Sequence, residues 1–101
     1  MGYFVYKLVP PRPSFDKDMS DSEAAIMGDH FGYWKGLFGT GVVVVYGPVS
    51  DPAGAWGLAV VEAGSEADVG ALGRSDPAVK SGMATFEVLP MATAIVRSGA
   101  P

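Results

Sequence analysis

The sequence predicts an α+β domain of the ferredoxin-like, split βαβ type, and three observations carry that expectation. The elements read strand, helix, strand, strand, helix, strand, with a short C-terminal strand appended. The first strand is apolar on both sides, with Phe4, Tyr6 and Leu8 on one and Tyr3, Val5 and Val9 on the other. Two helices cover only one face of a four-stranded sheet, so the second face needs another copy of the sheet as its cover. Finally, 101 residues, 49% hydrophobic and 18% charged, suit a single domain over residues 1–101 and are far from a disordered composition.

Residues 3–9, YFVYKLV, are dense in aromatic and β-branched side chains and stop at PPRP, where proline ends the ladder. Residues 10–20 then read as a surface loop whose bulky apolar side chains are Phe15 and Met19. Such a loop is long for a small domain, and it is expected to be mobile and to bear on ligand access. Ser20 followed by Glu23 forms a capping-box pattern, and glycines stand at 39 and 41, so a helix is expected from about 21 to 38. At 100° per residue, Ile26, Met27, Phe31, Tyr33, Trp34, Leu37 and Phe38 share an apolar arc, opposite Gly28, Gly32 and Gly36. The chain's one histidine, His30, falls near the middle of the apolar arc.

GVVVVYGPV and AWGLAVVEA are two strands joined through SDPAG, a strong turn signal. SEADVGALGRS is a short helix capped by Ser65, with Val69 and Leu72 facing inward, and DPAVKSG is a second turn-like element. MATFEVLPM and TAIVR are read as the closing strands.

Composition narrows function. A formal charge of −4, with seven Lys and Arg scattered along the chain, supplies no basic stripe for nucleic acid. Without cysteine there are no disulfides and no thiolate sites. The longest aliphatic run, Val42 to Val45 extended by Tyr46, is far below the roughly 20 residues of a membrane span, and MGYFVYK resembles no signal peptide. A soluble cytoplasmic protein is expected. GTGVVVVYG has the wrong spacing for a dinucleotide fingerprint and leads into a strand.

Over almost its whole length the chain resembles the YCII-related (YciI-like) proteins, on HFGYWKGLFGTG, GPVSDPAG, SEADVGAL, DPAVKSG and FEVLPM taken together in order. The resemblance implies a ferredoxin-like subunit that pairs sheet to sheet as a dimeric α+β barrel. It also implies a His-Asp pair in a pocket near the dimer interface, at His30 and Asp51. The segment from Val9 to Glu23 is longer than in the shortest family members, so its role does not transfer.

A histidine in an apolar arc loses hydration unless a carboxylate compensates, and such a pair serves as general acid or base near neutral pH. Asp51 is the leading partner, at the end of the strand that follows the helix, and Glu23 is the runner-up on the same helical face. The alternative is a core-edge histidine bonded to a backbone carbonyl, with Asp51 merely starting its turn. Trp34, one turn from His30, is the candidate pocket wall. Arg12, and more remotely Lys80, are candidates to hold an anionic substrate. One histidine without cysteine does not make a metal site, and no cofactor is expected. The expected function is a small enzyme in which His30, oriented by Asp51, moves a proton on a cyclic or enolic organic molecule, as a lyase or isomerase. The alternative is a non-catalytic dimeric module that binds a metabolite or a protein. Either way a homodimer, or a higher even oligomer, is expected.

Overall fold

Strict alternation along the first strand sets the two faces of the sheet. In the computed structural model, which describes residues 1–99, β1 spans Gly2–Val9 and buries Phe4, Tyr6 and Leu8. A single helical turn, α1 (Phe15–Asp18), precedes the long helix α2 (Asp21–Gly39). Strands β2 (Val43–Val49) and β3 (Trp56–Ala63) follow, then α3 (Glu66–Arg74), the short α4 (Pro77–Lys80) and β4 (Thr85–Pro90). The sheet is antiparallel throughout, in the order β2-β3-β1-β4, which is the ferredoxin-like arrangement.

The capping box is complete: Glu23 N–H donates to the Ser20 hydroxyl, and the Ser20 N–H donates to the Glu23 carboxylate. The helix therefore starts where the sequence places it, and its apolar arc packs on the sheet through the buried His30 and Trp34. Ile26, Met27, Tyr33 and Leu37 are partly buried around them, whereas Phe31 and Phe38 stay exposed. Gly28, Gly32 and Gly36 lie on the exposed side with nothing near the place of a Cβ, as expected of a solvent-facing arc.

One core fills the space between helices and sheet, from Phe4, Tyr6 and Leu8 of β1 to Ala59 and Val61 of β3, with Val69 and Ala78 above. On the other face the register aligns Val45 with Val60, Val60 with Val5, and Val5 with Leu89. An apolar row thus crosses all four strands, and its outer members Val45 and Leu89 are each 49% exposed.

Two sequence expectations change. The loop is not free of core contacts, because α1 turns Phe15 inward to 4% exposure. The segment TAIVR forms no strand. Met91 N–H still donates to Tyr3 O, but β1 begins at Gly2, so beyond that point the tail has no backbone neighbour to pair with.

Helical glycines divide accordingly. A Cβ at Gly73 in α3 would stand 2.5 Å from the Phe86 ring, which is itself stacked on Tyr6 at 5.4 Å. Gly73→Ala is expected to lose about 1–3 kcal/mol through overpacking, outweighing the better helix propensity of alanine. Gly32→Ala meets no atom and is expected to gain about 0.5–1 kcal/mol. Urea denaturation of both variants measures the two signs.

Candidate functional site

Asp76 follows the last turn of α3 and caps α4, its Oδ1 accepting from Ala78 N–H at 2.9 Å while Pro77 opens the helix. The same carboxylate is wholly buried against α2 and β1. Its Oδ2 accepts from the Tyr6 hydroxyl at 2.9 Å and from Trp34 Nε1 at 2.8 Å. Nδ1 of His30 lies 2.9 Å from both carboxylate oxygens. Burial pushes the Asp76 carboxyl up, but hydrogen bonds from His30 and Trp34, the charge of His30 and the Ala78 N–H together outweigh it, holding the group below its ordinary value. Tyr6 moves the opposite way, raised first by burial and then by the negative charge of Asp76.

An ionised carboxylate only accepts, so the atom facing it on His30 is an N–H donor. In the neutral ring the lone pair then sits on Nε2. Among the described residues no buried side-chain nitrogen or oxygen lacks a partner, and His30 is bonded through Nδ1 alone. Nε2 is therefore not sealed from solvent, and His30 lines a cavity with a volume of about 430 Å³. Its walls are almost entirely apolar, with Phe15 and Met19 from the strap before α2, Trp34 from the helix and Trp56 from the start of β3.

The pairing differs from the one expected. Asp51 does not serve His30: its carboxylate is exposed, accepts from Ala53 N–H at 2.9 Å and Trp56 Nε1 at 3.1 Å, and is held below its ordinary value by those bonds. It tightens its own turn and orients a cavity-wall tryptophan. Arg12 is likewise not turned to the cavity. Its guanidinium forms two bonds to the Glu23 carboxylate, at 2.8 and 2.9 Å, and two to Asp18, at 2.7 Å to the carboxylate and 3.1 Å to the backbone carbonyl. Those bonds hold Glu23 down at about 2 and push Arg12 above its ordinary value. Glu23, the other candidate partner of His30, is thus shared between Arg12 and the helix cap. Lys80 is exposed on α4 and does not line the cavity. Trp34 does line it, as expected.

Sequence reasoning missed Asp76 and Tyr6. Asp51-Pro52 and Asp76-Pro77 are the same local signal, and nothing in either dipeptide tells which carboxylate reaches α2. Tyr6 carried a usable sign, since a tyrosine on the inward side of an alternating strand brings a hydroxyl that needs a buried partner. Among the described residues no group of three or more His, Asp or Glu side chains is placed to hold a metal ion.

Removing the carboxylate would leave up to four donors unpaired in the core. Asp76→Ala is expected to lose about 3 kcal/mol or more, read as a drop in thermal midpoint of more than about 10 °C for a domain of this size. Because the folded-state value of Asp76 lies below the unfolded one, its contribution is complete above about pH 5 and is lost progressively as pH falls below the ordinary Asp value near 3.9 toward its lower folded-state value. Asp76→Asn is therefore expected to lose less stability than the wild type between pH 5 and pH 3, which denaturation across that range measures.

A family model described as the YCII-related domain matches residues 5–92. Among solved structures, 5-chloro-2-hydroxyhydroquinone dehydrochlorinase (TftG) of Burkholderia phenoliruptrix, in complex with 2,5-dihydroxybenzoquinone, matches with a TM-score of 0.66 at 17% identity. The match covers 91% of this chain and 95% of that one, and at that identity it is a likeness of fold. No curated protein matches the sequence.

Proposed function

On the premise that the chain belongs to the YCII-related domain family, we propose that it is a small enzyme of the lyase or isomerase type, with His30 as general base and acid. The observation that carries this reading is the Nδ1 contact with Asp76, which leaves a lone pair on Nε2 at the wall of an apolar cavity. Nε2 takes a proton from a carbon or hydroxyl of the substrate, and the Asp76 carboxylate stabilises the imidazolium so formed. The electron pair left on the substrate then makes a double bond. Either a neighbouring leaving group departs with its pair, or the proton returns from Nε2 to a different atom. The dehydrochlorinase named above, which shares the fold, supports the elimination variant.

Asp76 acts through His30 and does not line the cavity, which makes it a positioning residue. His30→Gln is expected to abolish turnover, by roughly 100-fold or more, while leaving the fold intact. Tests on ring-bearing phenols, halides and enols, followed by product analysis, check this. Binding with no product in the wild type would instead assign the cavity to recognition alone.

The uncovered sheet face supports a homodimer. The row Val45, Val60, Val5 and Leu89 gives each subunit an apolar strip that no element among the described residues covers. A second copy presents the same strip and satisfies two-fold symmetry. Light scattering is expected to give a mass twice that of the 10.5 kDa chain. Val60→Asp is expected to return the mass of one chain with unchanged far-ultraviolet dichroism.

A further inference from the structure

We infer that the substrate of the His30 cavity is an uncharged molecule of one or two rings, held by apolar walls and selected against anions. This deepens the reading of that cavity as the substrate site and rests on it.

Three aromatic residues that line the cavity have their polar ends committed elsewhere. Tyr6 Oη and Trp34 Nε1 donate to Asp76, and Trp56 Nε1 donates to Asp51. The rest of the lining is apolar, with Leu8, Phe15, Met27, Phe31 and Met83 among it. Apolar walls of this kind favour an apolar ligand.

Charge points the same way. None of the chain's seven Lys and Arg lines the cavity. Arg12 is bound by Asp18 and Glu23, and Lys7 lies 5.0 Å over the Trp56 ring on the face of β1 opposite Tyr6 and Leu8. Of the Asp, Glu, Lys and Arg side chains, Asp16 alone lines the cavity among the described residues, and Asp76 stands behind His30. A carboxylate or phosphate entering there would lose its hydration and meet like charge with no Lys or Arg to compensate, while any positive charge on His30 is already paired with Asp76.

Size completes the description. A cavity of roughly 150 Å³ holds a benzene ring, so about 430 Å³ accepts a substituted ring or a fused pair. Along its polar edge the free Nε2 of His30 offers one hydrogen-bonding partner, which suits a ligand bearing a hydroxyl, enol or acidic C–H at one end.

Intrinsic fluorescence reads binding directly, because both tryptophans of the chain, Trp34 and Trp56, line the cavity. The probes are 4-methylphenol and 4-methylbenzoate, which share a ring and differ in charge at neutral pH. The wild-type protein is expected to bind the phenol about tenfold or more tightly than the benzoate. Ala24→Phe, which adds bulk at an exposed helical position on the cavity wall, is expected to abolish phenol binding without unfolding the chain. His30→Gln is expected to keep the preference, since the walls and the missing cations are unchanged. Loss of turnover therefore tests the proton-transfer reading, and probe selectivity tests this one. Equal or tighter binding of the benzoate would overturn the inference, as would phenol binding that survives Ala24→Phe, or no saturable binding of either probe at millimolar concentration.

Discussion

The structure depends on one buried carboxylate. Asp76 is fully removed from water, and an unpaired charge there would cost several kcal/mol. It is tolerable because four residues from three elements surround it with donors: Tyr6 from β1, His30 and Trp34 from α2, and the Ala78 N–H of α4. The donors come from three separate elements, so satisfying the charge requires the sheet, the long helix and the short helix to meet in one geometry. Such a group adds little net stability over an apolar core of the same shape. What it does impose is a single register for the elements that carry its partners.

The site's chemistry follows from the same constraint. A carboxylate that only accepts determines which imidazole nitrogen carries the proton and turns the other to the cavity. By drawing the Tyr6 hydroxyl and the Trp34 N–H inward, it also keeps those polar groups off the cavity wall. Acid–base capacity and an apolar binding space are therefore two consequences of one arrangement. The strap before α2 closes the remaining side. Phe15 is buried from α1, the Arg12 guanidinium ties that turn to Asp18 and to the helix cap at Glu23, and Pro13 packs so closely on Gly54 that a Cβ there would stand 2.9 Å from it. Gly54 has φ +129°, a conformation that glycine adopts without strain.

Most of the fold was legible in local patterns. Alternation in β1 assigned Phe4, Tyr6 and Leu8 to one face, and Ser20 with Glu23 marked the start of α2, because period and capping are properties of a few neighbouring residues. The inward place of His30 and Trp34 followed from helical geometry in the same way. The strand expected at TAIVR had the right composition, but a strand exists only where an edge is available, and β1 ends before the tail can use it. Phe15 was read as loop because proline and aspartate around it speak for a turn, while burial of its ring depends on a cavity formed by distant elements.

The sequence by itself determined that one histidine would lie on the buried side of a helix over an antiparallel sheet, and that the sheet's second face would be apolar. Only the tertiary structure decided which carboxylate answers that histidine. Asp51 and Asp76 each precede proline, each cap or turn the backbone two residues on, and differ in nothing that short-range chemistry can sense. Packing of α4 on α2 brings Asp76, 46 residues from His30, to 2.9 Å, while Asp51 stays in solvent at the end of β2. Arg12 was decided in the same manner: a cation without a local partner in the sequence met two carboxylates once the strap folded against α2. Long-range electrostatic pairing is settled by where whole elements dock, and docking is driven by the non-directional burial of the core.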